Sequence, residues 1–169
     1  LAAAQALLTS LQGAVQLAQQ YGAAQQGSIS DIQNAQSQLT TTYNCWATVA
    51  SSTTLTAGQV VQAQNNAASA AASIQSLEAR VVQYNTNITR ANAAIVKIQQ
   101  LQTSALSATT LAEVQAVAAQ LTAAQTAGTL IVQSDVISAQ QDRATLQSQM
   151  EAQNKDTAVK LNQCYAFGQ

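Results

Sequence analysis

The chain has 169 residues, no Pro, no His and a net charge of −1, with only 8% of its side chains charged. Without His, a Ser-His-Asp triad, a Cys-His pair and most zinc sites are excluded, and so sparse a charge gives no electrostatic basis for binding nucleic acid or an anionic membrane. Ala, Gln, Thr and Ser dominate, which predicts an all-α protein with a thin core and closely packed helices.

The first 77 residues hold a single charged side chain, Asp31. The solvated faces are therefore amides and hydroxyls, a coat that points to a periplasmic or secreted protein rather than a cytosolic one. No stretch reaches the roughly 18 unbroken apolar residues that span a bilayer. No basic-plus-apolar leader is present either. The chain starts at Leu1 rather than at Met, so a mature form after signal-peptide removal, or a trimmed one, is expected and the missing leader excludes nothing.

The first predicted helix covers about residues 1–46. Leu1, Leu8, Val15, Ile29 and Tyr43 share one heptad column, and Leu11, Ile32, Leu39 and Trp46 share the column three residues later. The seam weakens at Gly22, Gln25 and Gln36. Gly22 and Gly27 each cost a helix about 1 kcal/mol relative to Ala. Ser28 with Asp31 reads as a fresh N-cap with its capping-box acid. Residues 22–28 are therefore expected to be a soft point, either a kink or a hinge.

Ala50–Gly58 is the first break, because Ser and Thr compete for backbone hydrogen bonds and Gly closes the stretch. The second helix follows over about 59–102 and is the most regular. Val60, Ala67, Ile74, Val81, Ile88 and Ile95 are seven apart, and Ala63, Ala70, Leu77, Tyr84, Ala91 and Ile98 follow each by three. From Val60 to Gln102 such a rod is roughly 65 Å long and needs partners along its length. Val61, Val82 and Val96, with Ala68 between, form a narrower stripe that is expected to face the second neighbour within the chain, or else another subunit.

Thr103–Thr110 is the second break. Thr110 and Glu113 form a T-x-x-E capping box ahead of an apolar run, so a third helix is expected over about 110–164. Its apolar positions include Leu111, Val114, Ala118, Leu121, Val132, Val136, Leu146, Met150 and Leu161, with Gly128 a lone weak point. Glu151 with Lys155 and Asp156 with Lys160 are acid-then-base pairs that support its last turns. On a helix, Leu130 and Ile137 would point one way, Val132 and Val136 nearly the opposite way, and Ile131 between them. A helix apolar on several sides is buried on several sides. This segment is read as a subunit interface, with a locally thicker core as the alternative.

The pattern as a whole predicts one domain over 1–169, an elongated up-down-up three-helix bundle with coiled-coil-like packing. That topology brings Cys45 and Cys164 to the same end. A disulfide between them would contribute roughly 4–5 kcal/mol by chain entropy and would imply an oxidising compartment. Tyr43, Trp46, Tyr165 and Phe167 crowd that end, either as a plug over the disulfide or as interface anchors.

No calcium loop and no phosphate-cradling Gly loop are present. Asp135 and Asp142 lie seven apart on one face, but as solvated surface acids rather than metal ligands. Asn87-Ile88-Thr89 matches a glycosylation sequon but lies within the second helix, and is read as chance. The chain is read as no enzyme, with no cofactor, no metal and no catalytic residue.

Residues 74–164 carry a more specific pattern. Ile95, Ile98 and Leu101 end one helix. Leu111-Ala112-Glu113-Val114-Gln115 then opens another, leading to Leu121 and Gln125, and a Gln-rich helix follows with Leu146, Met150 and Leu161 near its end. This resembles the minor pilus-tip subunit family of bacterial type IV secretion and conjugation systems. The resemblance implies a helical bundle with a smaller appendage, here reduced or absent because only 47–58 is available for it. It also implies a non-catalytic protein that reaches the periplasm and then the pilus surface. There it would oligomerise, nucleate or cap the pilus, and meet an inner-membrane channel protein, the major pilin and a recipient-cell receptor. A secreted structural or adhesive helical protein is the alternative, and a helical pore-forming toxin a more distant one.

Overall fold

Four α-helices account for most of the computed structural model, which describes residues 2–167. They are α1 (Ala2–Ala50), α2 (Ala57–Ser107), α3 (Leu111–Thr126) and α4 (Gln133–Ala166). No described residue is in a strand. Leu1, the first member of its predicted column, lies outside the described residues. The fold class is all-α, as the composition predicts, but the third helix of the predicted bundle is two helices.

One heptad column on each of α1 and α2 becomes the buried face, while the other α1 column is only partly covered, with Leu8 and Val15 half-buried and Tyr43 exposed. On α2, Ala63, Ala70, Leu77, Tyr84, Ala91 and Ile98 are all buried, while Val60, Ile74, Ile88 and Ile95 are half-buried beside them. On α1, Leu11, Ile32, Leu39 and Trp46 are buried. The capping chemistry agrees with the ends. Glu113 N–H donates to Thr110 Oγ1 at 3.2 Å and opens α3 as expected, and Glu113 Oε2 accepts from Thr109 N–H at 2.9 Å. The start of α2 carries a full capping box: Gln59 N–H donates to Thr56 Oγ1 (3.2 Å) and Thr56 N–H to Gln59 Oε1 (3.0 Å).

Contacts divide the chain into two compact units. The first holds the residues up to Gly27 together with Tyr84–Arg143, and the second holds Ser28–Gln83 and the chain from Ala144 on. In the first unit, Leu7, Leu11, Ala14, Ala18 and Tyr21 pack with Ile98 and Leu101 of α2, Val117 and Leu121 of α3, and Leu130, Ile131 and Val136. In the second, Gln36 Nε2 reaches Glu78 Oε2 (3.0 Å) and Arg80 Nη1 reaches Gln149 Oε1 (3.1 Å). Cys45 is bonded to Cys164. These pairings make α1 and α4 parallel there and α2 antiparallel to both.

Three expectations are corrected. α1 runs unbroken through residues 22–28, so Ser28 is buried inside it rather than capping a new helix. Of the two glycines, only Gly27 stands where a side chain would meet an obstacle. A Cβ at Gly22 would sit 3.8 Å from the Cβ of Ala91, and one at Gly27 would fall onto the Arg143 guanidinium.

The break expected nowhere within 110–164 occurs at residues 127–132. Gly128 has φ +74°, its N–H donates to the Gln125 carbonyl (3.2 Å), and the Thr129 N–H donates to the Ala124 carbonyl (3.1 Å). This is a Schellman cap, in which a left-handed residue after the helix lets two amides satisfy its last carbonyls.

The Val61, Val82 and Val96 stripe does not face a neighbour within the chain. These residues are 52%, 58% and 52% exposed, and Ala68 between them is exposed too.

The two glycines of α1 should therefore respond oppositely to alanine. Gly22→Ala keeps an ordinary contact with Ala91 and removes a helix glycine, so it should raise stability by about 0.5–1 kcal/mol. Gly27→Ala gains the same propensity but displaces a guanidinium whose Nε is buried. Its urea midpoint should fall below that of the parent chain. A Gly27→Ala midpoint equal to that of Gly22→Ala would show that Arg143 moves aside at no cost.

Candidate functional site

The first unit contains a polar layer built from residues that are distant in sequence. Gln25 occupies a seam position of α1 and is 4% exposed, and Asn87 Nδ2 donates to its Oε1 at 2.9 Å. A buried amide left alone costs about 1–3 kcal/mol, so the pair is kept because each satisfies the other. One turn further, Arg90 Nη2 lies 3.3 Å from Asp135 Oδ2 and 3.5 Å from the Leu130 carbonyl, with its guanidinium 5.8 Å from the centroid of the Tyr21 ring. Asp135 Oδ2 also accepts the Val132 N–H at 3.0 Å. Arg90 and Asp135 together fix the connection between α3 and α4. Tyr84 donates its hydroxyl to Asp142 Oδ2 at 2.7 Å. The two acids weighed above as metal ligands are thus held by Arg90 and by Tyr84, and no cluster of metal-binding side chains occurs among the described residues. Asn87 of the sequon is half-buried and engaged with Gln25.

The second unit carries the predicted disulfide. Cys45 and Cys164 are bonded with a Cα–Cα separation of 6.3 Å, across 119 positions. The buried cluster around the bridge is small: Trp46, Ala63, Ala67 and Cys164, with Cys45, Val49, Ala50 and Phe167 partly buried against it. Trp46 is 1% exposed, and the Phe167 ring meets it edge-on with centroids 5.1 Å apart. No hydrogen-bond partner reaches Trp46 Nε1 among the described residues.

The nine candidate interface residues fall into two groups. Trp46, Phe167, Leu130, Ile131 and Val136 are covered by the chain itself. Trp46 and Phe167 are the plug over the disulfide, and the other three are 1–2% exposed in the core of the first unit. Their multi-sided pattern arises because Leu130 and Ile131 precede α4, so helical angles do not apply to them. Tyr43, Tyr165, Val132 and Ile137 remain exposed and open to a partner.

The polar layer is visible in sequence only as a defect at Gln25, since its partner Asn87 lies on another helix. Thr56-x-x-Gln59 is a readable signature in the first break. No helix among the described residues is long and apolar enough to cross a membrane. No protein-family model, curated protein or solved structure matches the chain.

With so few buried residues around it, the disulfide is the main tie at its end of the second unit. The double variant Cys45→Ala/Cys164→Ala should lose about 4–5 kcal/mol of unfolding free energy, the chain-entropy value for so long a loop. Denaturant titration of both chains checks this, and a loss under about 1 kcal/mol would show that the end is held by its aromatic plug alone.

Proposed function

We propose that this chain is a non-catalytic assembly component of a type IV secretion or conjugative apparatus, a minor pilin at the pilus tip or stalk. In this reading it reaches the periplasm, oligomerises there with other components of the channel and the pilus, nucleates or caps the pilus, and contacts recipient cells. The observation that carries the reading is the all-helical fold closed by the Cys45–Cys164 bridge. It supplies the long helices that the residue pattern over 74–164 implies, and disulfides persist in extracytoplasmic compartments. α1 and α2 are joined by residues 51–56 alone, so the connection at 47–58 holds no appendage. Adhesion, where it occurs, falls to the helices and their ends.

One observation favours the second reading, a secreted structural or adhesive helical protein. The uncharged stripe of Val61, Ala68, Val82 and Val96 lies exposed on α2, and such a face suits lateral packing in an extracellular polymer.

Immunogold electron microscopy of whole cells carrying the protein separates the two readings. The expected result is gold at the ends or bases of pili. Gold spread over the cell surface, or in shed material, would sink the pilus reading and leave the secreted structural protein.

A further inference from the structure

The second unit buries hydroxyls at two seam positions. Thr42 lies seven residues after Ala35 on α1, and Thr157 lies midway between Met150 and Cys164 on α4. Those neighbours are buried, and so are the two threonines, each 2% exposed. A helix seam ordinarily holds apolar residues at such positions.

Thr42 and Thr157 border one cavity of about 40 Å³ between α1, α2 and α4. Asn66 and Ser69 reach it from α2, and Gln153, Asp156 and Lys160 from α4. The exposed Ser69 and Asp156 mark its mouth, where Asp156 pairs with Lys160 at 3.4 Å. Both threonine protons are already engaged. Thr42 Oγ1 donates to the Gln38 carbonyl at 3.2 Å, and Thr157 Oγ1 donates to the Gln153 carbonyl at 2.7 Å. Each oxygen therefore keeps only lone pairs with which to accept, whereas Asn66 and Gln153 carry amide donors and Lys160 an ammonium.

We propose that this cavity is a site for internal water that ties the three helices together at one level. Size supports this occupant, since a water takes roughly 10–15 Å³ of such space and the cavity accommodates about two or three. Chemistry supports it as well. Water donates to hydroxyl oxygens that can only accept and accepts from amides that donate, so one kind of molecule satisfies both walls. Other occupants fit less well. A metal cation meets the Lys160 ammonium, an anion meets the Asp156 carboxylate, and an apolar atom leaves the polar walls without partners. Cavities of this size stay dry when their lining is apolar, and this lining is not. The contact is satisfied only when α1, α2 and α4 stand in one register, so the water layer specifies that register in the second unit as the Gln25–Asn87 pair does in the first. The proposal is independent of the assembly reading.

Oxygen-17 magnetic relaxation dispersion of water, in solutions of the full disulfide-bonded chain, tests it. The height of the dispersion step counts waters that stay on the protein longer than the protein takes to tumble, and exchange of hydroxyl protons does not enter it. Three samples are compared. They are the parent chain, Thr42→Val/Thr157→Val, which keeps the side-chain shapes and removes the lone pairs, and Thr41→Val, at an exposed neighbour whose hydroxyl donates to the Ser37 carbonyl at 3.3 Å. Circular dichroism checks that each is folded. The parent chain should show a step, the double variant should lose at least one water from it, and Thr41→Val should retain it in full. A parent chain without a step, a double variant with the parent's step, or an equal loss in Thr41→Val would each overturn the proposal. A high-resolution crystal structure of the parent chain is a second test that needs no variant. Solvent peaks within about 3.2 Å of Thr42 or Thr157 Oγ1 are expected. A cavity without density, or one filled by the Lys160 side chain, would overturn the proposal.

Discussion

The smallness of the side chains at the helix seams is the constraint from which the rest of the fold follows. Ala14, Ala18, Ala24 and Ala35 on α1, and Ala63, Ala67, Ala70, Ala91, Ala94 and Ala105 on α2, are all buried. An alanine removes little apolar area from water, so each contact gives little hydrophobic stabilisation at about 25 cal/mol per Å². Close backbone approach compensates by adding dispersion contacts. Helices packed this closely leave room only for hydrogen at some positions. Gly27, beneath Arg143, is such a position, whereas Gly22 has room for a methyl beside Ala91. In so thin a core the few large residues carry disproportionate weight, among them Leu11, Ile32, Trp46, Ile98 and Leu146.

Where two residues on one helix share a face, the sequence is legible. The columns Ala63 to Ile98 and Leu11 to Trp46 are the observed buried faces because the period of an α-helix is a local property. The Thr110–Glu113 cap is local in the same sense. What escapes such a reading is non-local. Gly22, Gly27 and Gly128 look alike in sequence, but Gly27 lies under Arg143 of another helix, Gly22 has room for a methyl, and Gly128 closes α3 with φ +74°. Gly128 does carry a local cue, since Thr129, Ile131 and Val132 are β-branched and poor continuations of a helix. Gln25 reads as a flaw in the seam because Asn87 is invisible from α1. The Val61, Val82 and Val96 stripe has a clean heptad period, and period alone does not say whether a face is covered.

The candidate site is legible to a similar depth. The disulfide follows from helix order, which places the ends of the first and last helices together. The aromatic residues at that end leave two roles open, and the structure divides them. Trp46 and Phe167 face inward over the bridge, while Tyr43 and Tyr165 face outward. For the α1 pair the division follows from angular position: Trp46 continues the buried column of Ile32 and Leu39, whereas Tyr43 lies three residues before it at the margin. The cross-link stands in a small buried cluster. It acts on the unfolded chain, and so it stabilises this end without the apolar area that the end lacks.

Several of the few ions present are engaged in contacts within the fold. Arg90 and Asp135 hold the connection between α3 and α4, Asp142 accepts from Tyr84, and Lys160 pairs with Asp156 at 3.4 Å along α4. The exterior is left dominated by amides, hydroxyls and scattered valines and leucines. Such a surface projects little field, so partners are not steered to it, and association rates fall in the unsteered range of about 10⁵–10⁶ M⁻¹s⁻¹. Recognition then depends on shape and apolar contact, changes little with salt, and discriminates poorly between partners at a distance. These properties favour a protein whose partners are already held beside it, where effective concentration replaces electrostatic attraction. An assembly component in a confined compartment meets that condition. A freely diffusing binder of charged ligands does not, and this physical distinction supports reading the chain as a structural part.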